Sequence, residues 1–447
     1  MMWVVLLVAP TVRGQQAALV VFNVKDFGAR GDGVTDDGPA LMAVARAVNQ
    51  RAAVKSEIDF PPGTYAINAH DTASQTPSNA LIYITAANVA VVGIGSAQLR
   101  LMVPQTPYSE QFSGRTGGTF YWNYLRIAVG GSVTGMEFNS NGATETRCSA
   151  EFGCFWATAI YTVDSHITVD HNKFIALEGW AVLAQGSDIK ITHNYAEKSK
   201  GMVCAAVDKP TSGCVISGNV SMDSEDAPYA ANGEAGANVS HFTIDHNAAT
   251  GNNNGAGIDI TAAKDGVVTG NVIAGMKNWC IQVDKNGGAY TRGRKGTYVP
   301  SMSITVEGNT CNRNNAYKGW PIDAEIVVGD NYPVNGYRAF KPGDTADGIT
   351  IRNNRVIAGN DRGMGVAVGY GAANVTIERN TISGCGQGGD IPCGPVYGVA
   401  DFGESTNVKI LNNHQDGQYP KARMLLKGKG PYDVRGNNFG PAVSPSW

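Results

Sequence analysis

The chain has 447 residues, of which 56 are glycine and 16% are charged, and its formal net charge is −3. A net charge this small gives no reason to expect nucleic acid or an anionic membrane surface as a partner. By length alone the chain could form two or three ordinary domains, but its glycine content is typical of a β protein with many tight turns.

The first residues resemble an export signal. A short apolar core at 3–9 lies within the segment 2–14, and it is far too short to cross a bilayer. The positively charged start that such signals normally have is missing. We interpret residues 1–17 as a leader and expect a secreted or periplasmic protein without a membrane-spanning helix.

The segment Phe22–Asp37 ends in Asp-Phe-Gly-Ala-Arg-Gly-Asp-Gly-Val-Thr-Asp-Asp, and an apolar run with helical spacing, Ala40–Val48, follows it. Pro39 suits the first turn of a helix, and Thr35 or Asp36 can cap that turn. The phrase resembles the N-terminal signature of the pectate-lyase-like β-helix superfamily. The resemblance implies a parallel β-helix whose first coil is covered by the helix. It also implies a relative of polysaccharide lyases, glycoside hydrolases, alginate epimerases or phage tailspikes.

A short phrase repeats along the rest of the chain, with apolar residues five and three positions before an asparagine. It occurs twice in His166–Asn194 and recurs as far as Tyr432–Asn437, and successive asparagines lie 22, 25, 28, 24, 38, 45, 26, 33 and 24 residues apart. Alternating apolar positions predict strands, and a period in the twenties indicates a solenoid. The sequence therefore predicts an all-β fold, one right-handed parallel β-helix over residues 18–447. Each asparagine is expected to hold a left-handed turn and to bond the asparagine of the next coil.

Eight cysteines fall into four pairs of near neighbours: Cys148/Cys154, Cys204/Cys214, Cys280/Cys311 and Cys385/Cys393. Behind an export signal, local pairs predict disulfides, and the first and last pairs are the clearest because each closes a short loop. No pair has the Cys-x-x-Cys spacing of a zinc site. Buried free thiols are the alternative, since cysteine packs well in an apolar interior.

Two long insertions interrupt the coils, at 285–300 and 329–347. Insertions in a solenoid project from one face, which is often the binding face. These two leave successive coils at the same place in the repeat, so we expect them to stand side by side. Both combine aromatic and basic residues: Tyr290, Arg292, Arg294 and Tyr298 in the first, and Tyr337 and Arg338 in the second.

A second strand precedes each asparagine phrase, and its alternation predicts which residues face outward. The predicted outward column holds Tyr161, Leu183, Ala205, Asp259, Gln282, Val327 and Ala367. Coils lie about 4.8 Å apart, so we expect a surface patch formed by Asp259, Gln282, Asp284, Lys285 and Glu325. Like charges placed together cost energy unless they have a cation or a task. The alternative interpretation is an ordinary solvated face.

Four cations in 285–295 without an acidic residue favour a polyanion, and the interleaved tyrosines suit stacking on sugar rings. We therefore expect an acidic, uronate-containing polysaccharide as the substrate and cleavage by β-elimination as the reaction. That reaction needs a neutralised carboxylate, a base and an acid. The predicted catalytic residues are Asp259, Asp284, Lys285, Glu325 and Arg294, and the predicted substrate-binding residues are Gln282, Tyr290, Arg292, Tyr298, Tyr337 and Arg338. No cofactor or metal ligand is assigned, and a need for Ca²⁺ and the oligomeric state stay open.

Three other functions remain open. Asp259 and Asp284 alone could serve a glycoside hydrolase, although the Gly-His-Gly of polygalacturonase-like hydrolases is absent. The arginine phrase of pectate lyases is absent as well. The spacing of Tyr161, Asp164 and His166 resembles the Tyr-x-x-Asp-x-His of alginate C5-epimerases, without the proline of that family. A module that only binds glycan is the last alternative.

Overall fold

The structure is a computed structural model of the chain. It describes residues 19–51, 54–68, 80–102, 120–141, 155–177, 179–206, 209–224, 226–233, 237–252, 255–287, 298–312, 322, 324–330, 340–358, 364–383, 397–403, 405–416, 423–428, 430–440 and 442–443. The expected leader at 1–17 lies outside these residues. In the described part, no helix is long and apolar enough to span a membrane.

Among the described residues, one long sheet contains thirteen strands from successive coils and is called here the site sheet. Its strands are β5 (Ala80–Tyr83), β7 (Phe120–Ile127), β9 (Phe155–Thr162), β12 (Trp180–Ala184), β15 (Lys200–Ala206), β19 (Tyr229–Gly233), β23 (Ile258–Thr261), β26 (Ile281–Asp284), β31 (Ala324–Val328), β35 (Met364–Val368), β39 (Tyr397–Asp401), β42 (Arg423–Leu426) and β44 (Ala442–Val443).

The other long sheet has twenty-nine strands in the described part of the chain and forms the remaining faces of the coils. Its first part consists of β1 (Val20–Asn23), β2 (Asp32–Asp36), β3 (Ser56–Phe60), β4 (Gly63–Ile67), β6 (Val89–Leu101), β8 (Ser132–Asn139), β10 (Thr168–Asp170), β11 (Lys173–Ile175), β13 (Lys190–Thr192), β14 (Tyr195–Glu197), β16 (Thr211–Ser212), β17 (Val215–Ser217), β18 (Val220–Ser224), β20 (Val239–Ser240), β21 (Thr243–Asp245) and β22 (Ala248–Asn252). Its second part consists of β24 (Ala263–Thr269), β25 (Val272–Ala274), β29 (Ser301–Glu307), β30 (Thr310–Asn312), β32 (Ala346–Asp347), β33 (Thr350–Arg352), β34 (Arg355–Ile357), β36 (Ala372–Ala373), β37 (Thr376–Glu378), β38 (Thr381–Ser383), β40 (Val408–Leu411), β41 (His414–Asp416) and β43 (Tyr432–Arg435).

Strands of both long sheets pair in parallel with the equivalent strands of the next coil. The interior is apolar along its length, because alternate residues such as Ile216, Ile244 and Val268 are inward-facing and fully buried. Nearly every coil contributes residues to one continuous core cluster. These observations confirm the parallel β-helix that the sequence predicts.

The repeated asparagines form an uninterrupted ladder of buried amides. In Asn219, Nδ2 donates to the carbonyl oxygen of Ile191 at 2.8 Å and to Oδ1 of Asn247 at 2.9 Å. Its own Oδ1 accepts from the backbone N and the Nδ2 of Asn194, at 2.8 and 3.0 Å. The side-chain amide thus uses both its donors and its acceptor. The same arrangement links Asn172, Asn194, Asn219, Asn247, Asn271, Asn309, Asn354, Asn380, Asn413 and Asn437.

The left-handed turn belongs to the residue before each asparagine, which corrects the prediction that the asparagine itself adopts it. His171, His193 and His246 have φ of 54°, 51° and 52°, and Gly218 and Gly270 have φ of 65° at the same place in other coils. The asparagine is instead occupied by hydrogen bonds to two neighbouring coils. The sequence could not separate the two, because histidine and asparagine both tolerate this conformation better than most residues.

The expected N-terminal helix, α1, runs over Gly38–Asn49 and buries an apolar face in the core. The N-cap residue is Asp37, which makes no side-chain capping bond, so the predicted capping by Asp36 is wrong in detail. Oδ1 of Asp36 instead accepts a hydrogen bond from the backbone N of Gly38, the first helical residue, at 3.0 Å. Thr35 does not cap the helix, because its hydroxyl donates to Asp32 at 2.8 Å. A short 3₁₀ helix, Val24–Phe27, precedes α1.

Two of the four predicted disulfides lie in the described part, Cys204–Cys214 and Cys280–Cys311, and both are formed. They join residues 10 and 31 positions apart, so each ties neighbouring segments of the coils together. The pairs Cys148/Cys154 and Cys385/Cys393 lie outside the described residues.

Replacing a ladder asparagine should destabilise the fold strongly. Asn219→Ala leaves buried backbone groups of two coils without partners, and each such group costs about 1–3 kcal/mol. We expect the free energy of unfolding to fall by at least about 3 kcal/mol, measured by urea denaturation. Asn312→Ala, at a half-buried strand position outside the ladder, should change it by less than about 0.5 kcal/mol. Equal losses in the two variants would show that the ladder is not a special source of stability.

Candidate functional site

The outer face of the site sheet carries the column of residues that the alternation predicts, with one correction. Leu183 pairs with Val203, which pairs with Ala230, and Ala230 pairs with Asp259. Ala205 was predicted in this column, but it pairs with Asn232 in the flanking column instead. The cause is the length of β15, whose seven residues offer two small outward positions instead of one.

Asp259 and Asp284 lie on neighbouring strands and face the same side. Asp259 pairs with Gln282 and Thr261 pairs with Asp284, so the two aspartates are offset by two residues along the strands. The amide of Asn232 lies 3.5 Å from Oδ2 of Asp259 and 3.2 Å from the hydroxyl of Thr261. Oδ1 of Asp259 is shielded from solvent and has no hydrogen-bond partner among the described residues.

The pKa of Asp259 is raised to about 7, first by burial and then by the nearby carboxylates of Asp226 and Asp284. The hydrogen bond from the Asn232 amide lowers the pKa and so opposes part of this rise. Asp226 has a raised pKa as well, again because of burial. Three acids thus approach one another on a surface largely removed from water. With pKa values of about 7, Asp259 and Asp284 are each partly protonated at neutral pH.

Lys285 directly follows β26, and its side chain lies between two carboxylates. Its Nζ is 2.5 Å from Oδ2 of Asp330 and 3.8 Å from Oδ2 of Asp284. The Lys285 side chain is 6% exposed and both carboxylates are 10% exposed. The lysine Nζ also lies 5.1 Å from the ring centroid of Phe340. A cation this buried is stabilised only by such partners.

Burial raises the pKa of Asp284 to about 7, and Lys285 opposes the rise while Asp330 reinforces it. The backbone N of Lys285 donates to Oδ1 of Asp284 at 2.7 Å, and this bond also favours the ionised form. We call Asp259, Asp284, Lys285 and Asp330 the acid–lysine cluster.

Both insertions begin at this cluster. After Lys285, the strands β27 (Asn286–Gly287) and β28 (Tyr298–Val299) pair antiparallel, so the first insertion leaves and returns at one point. Asp330 opens the second insertion and bridges to Tyr370. Sequence reasoning missed Asp330, although its position directly after a strand matched that of Lys285.

Glu325 lies apart from the other predicted catalytic residues. Ile326 pairs with Ile281, which places Glu325 opposite Cys280. That position is four residues before Asp284, or about 13 Å along the strand. Glu325 is 1% exposed and lies beside a second, outer apolar cluster that includes Trp279, Val327 and Ala367.

Most of the predicted substrate-binding residues fall in the insertions. Tyr290, Arg292, Tyr337 and Arg338 lie outside the described residues, and so does Arg294, which was predicted to be catalytic. Tyr298 is the first residue of β28. Gln282 is half-buried beside Asp259, as predicted.

An aromatic and basic group that sequence reasoning missed lies further along the same face. The guanidinium of Arg126 lies between the rings of Tyr83 and Tyr161, 5.2 and 5.3 Å from their centroids. The hydroxyl of Tyr161 accepts from Nε2 of Gln185 at 3.1 Å. Tyr161 pairs with Leu183, so it stands four strands from Asp259, about 19 Å away.

The other residues of the epimerase-like spacing have different surroundings from Tyr161. Nδ1 of His166 lies 3.3 Å from Oδ2 of Asp188 on the next coil, and both side chains are mostly exposed. His166 adopts a left-handed bend with φ of 59°, beyond the end of β9. Asp164 is exposed.

Comparison with known proteins agrees with the fold. Residues 21–85 match the family model described as "Rhamnogalacturonase A/epimerase, pectate lyase-like". The A-module of mannuronan C-5 epimerase AlgE6 from Azotobacter vinelandii superposes with a TM-score of 0.66, covering 95% of this chain and 100% of that one at 17% identity. The resemblance to the pectate-lyase-like superfamily is confirmed.

Two curated relatives share short segments with the chain, both from Azotobacter vinelandii. Mannuronan C5-epimerase AlgE6 is 35% identical over 101 residues, which is 21% of this chain and 11% of that protein. Alginate lyase 7 is 39% identical over 77 residues, which is 17% of this chain and 8% of that protein. The matches thus cover a small part of each relative. Relatives of this chain are enzymes that act on polysaccharides.

The stability of the protein should depend on pH in a direction set by the acid–lysine cluster. The folded pKa of Asp259 is about 7 against an ordinary 3.8, so the folded state keeps protons that the unfolded chain has lost. The free energy of unfolding should therefore fall as pH rises from about 4 to about 7. Asp259→Asn should reduce this fall by at least about 1.4 kcal/mol, the equivalent of one pKa unit.

Urea unfolding at pH values near 4.5 and 7.5 measures this difference. Asp416→Asn, at an exposed site on β41, is the control for loss of one negative charge. An Asp259→Asn protein with the same pH dependence as the wild type would contradict the raised pKa.

Proposed function

We propose that the protein is an enzyme that cleaves a uronate-containing polysaccharide by β-elimination at the acid–lysine cluster. The observation that carries the proposal is the combination of a buried lysine with two carboxyls whose pKa is raised to about 7. Buried groups with strongly perturbed pKa values are concentrated at functional sites.

The cluster has the chemical groups that elimination requires. Lys285, together with Asp259 in its protonated form, neutralises the substrate carboxylate and so acidifies the C5 proton. Asp284 in its ionised form takes that proton, because a base works best when its pKa is near the working pH. The electron pair forms the C4–C5 double bond as the C4–O4 bond breaks. A tyrosine of the insertions donates a proton to the leaving oxygen.

The rest of the outer face suits a long acidic chain. Between the cluster and the Tyr83–Arg126–Tyr161 sandwich, the column consists of the apolar residues Leu183, Val203 and Ala230. An aromatic sandwich stacks on sugar rings, and arginine binds carboxylates through its planar fork. The segments shared with an alginate lyase and a mannuronan epimerase support uronate as the sugar class.

C5-epimerisation is the second candidate, because it begins with removal of the same proton. The 35% identity to a mannuronan C5-epimerase over 101 residues favours it. The two reactions diverge after proton removal: elimination expels the C4 oxygen, whereas epimerisation returns a proton to the opposite face. A panel of polymannuronate, polyguluronate and polygalacturonate separates them. Elimination produces ultraviolet absorbance of the unsaturated product, and epimerisation changes the uronate composition in the proton NMR spectrum without cleavage.

Hydrolysis is the third candidate, supported by the diagonal placement of Asp259 and Asp284 on adjacent strands. Their Cα atoms are about 8 Å apart for such an offset, and inverting hydrolases separate their carboxyls by about 6.5–9.5 Å. New reducing ends without ultraviolet absorbance would identify this reaction. A chain that binds these polymers without any of the three products would be a binding module.

Substitution of the proposed base should abolish most of the activity. Asp284→Asn keeps the shape of the side chain but removes the base, so kcat on the best polymer should fall by about 10²–10³. Asp164→Asn is the matched control, since Asp164 is exposed and lies outside the acid–lysine cluster. If Asp284→Asn keeps full activity and Asp164→Asn is inactive, the chemistry belongs to the Tyr161 and His166 region instead.

A further inference from the structure

A second group of chemically active side chains lies on the large sheet, away from the acid–lysine cluster. Nδ1 of His171 lies 2.6 Å from Oδ2 of Asp170, and Nδ1 of His193 lies 3.0 Å from Oδ1 of the same residue. The two imidazole rings stack at 5.0 Å with an interplanar angle of 28°. One carboxylate thus joins two imidazoles that come from successive coils.

We propose that Asp170, His171 and His193 bind one divalent transition-metal ion of the Zn²⁺ type. Their ligand atoms lie within 4.8 Å of one another, and no other described group of three His, Cys, Asp or Glu side chains meets that condition. Zn²⁺ binds nitrogen and carboxylate oxygen at about 2.0–2.2 Å, which places neighbouring ligand atoms roughly 3.0–3.5 Å apart. The His193–Asp170 distance of 3.0 Å already has that spacing, and the His171–Asp170 distance of 2.6 Å lengthens when the ion replaces the hydrogen bond.

The fold holds the ligands in place before any ion arrives. Both histidines occupy the left-handed position next to a ladder asparagine, and their backbone N–H groups donate to Thr192 and Ser217 of the following coils. The hydroxyl of Thr192 donates to Oδ1 of Asp170 at 2.6 Å and orients the carboxylate. Hydrogen bonds of this kind to a ligand are typical of metal sites.

The ligands are also accessible. The side chains of His171 and His193 are 66% and 59% exposed, and both border a groove of about 820 Å³ that Lys173, Tyr195 and Glu137 also line. Water or a ligand from the groove can complete the coordination, as an open zinc site requires. Imidazole ligands favour zinc, copper or nickel over calcium.

The chain contains its own control for this site. His246 has the same left-handed backbone, and its Nδ1 lies 2.8 Å from Asp245. The equivalent residue in the next coil is Gly270, which offers no second imidazole, and a Cβ there would lie 3.1 Å from Nε2 of His246. Glycine already occupies this position in several coils, so His193→Gly and His246→Gly should both fold.

Calorimetric titration of the EDTA-treated full-length protein with ZnCl₂ tests the proposal. We expect one equivalent bound by the wild type, affinity at least about tenfold weaker in His171→Gly and His193→Gly, and unchanged affinity in His246→Gly. Millimolar CaCl₂ should not displace the zinc. The proposal is overturned by absence of zinc binding in the wild type, by equal affinity in His193→Gly, by equal loss in His246→Gly, or by displacement with calcium.

Discussion

The hydrogen bond from one buried asparagine amide to the next is the interaction on which the structure depends. Each ladder residue binds the coil before it and the coil after it, as Asn219 does with Asn194 and Asn247. A coil displaced by one residue would leave a buried amide and two backbone groups unpaired. That penalty is several times RT, so the ladder fixes the register of every coil, including coils that carry long insertions between their strands.

A fixed register decides which side chains meet on the outside of the helix. Asp259 and Asp284 are 25 residues apart, yet they face the same surface because their coils are aligned. Their mutual repulsion and burial are unfavourable, and Lys285 with its partner Asp330 offsets only part of that cost. The pKa values of the two aspartates are raised because this burial and repulsion disfavour their ionised forms. An interior of apolar residues would be more stable, which is why we assign the cluster a chemical task.

The fold could be predicted from the sequence because the residues that determine it recur at the same place in every coil. The apolar alternation and the asparagine spacing together identified the coils, and all nine asparagine-to-asparagine bonds connect the pairs that the spacing predicts. The outer surface was less predictable. Strand β15 has two outward positions, and Val203 occupies the column that was predicted for Ala205. Glu325 was predicted beside Asp284 but lies about 13 Å from it along the strand. Arg126 and Asp330 were missed because their partners come from other coils.

The ladder position and the left-handed position beside it differ in how freely their side chains can change. A ladder position admits one residue type, because both the donors and the acceptor of its side chain are used. The left-handed position beside it fixes only the backbone, and its side chain projects to the surface. Histidine, glycine, asparagine and arginine all occur there. Side chains at this position therefore change without cost to the register, and two histidines on successive coils are held one strand spacing apart. The rigidity of the ladder is thus what makes the adjacent surface available for binding sites.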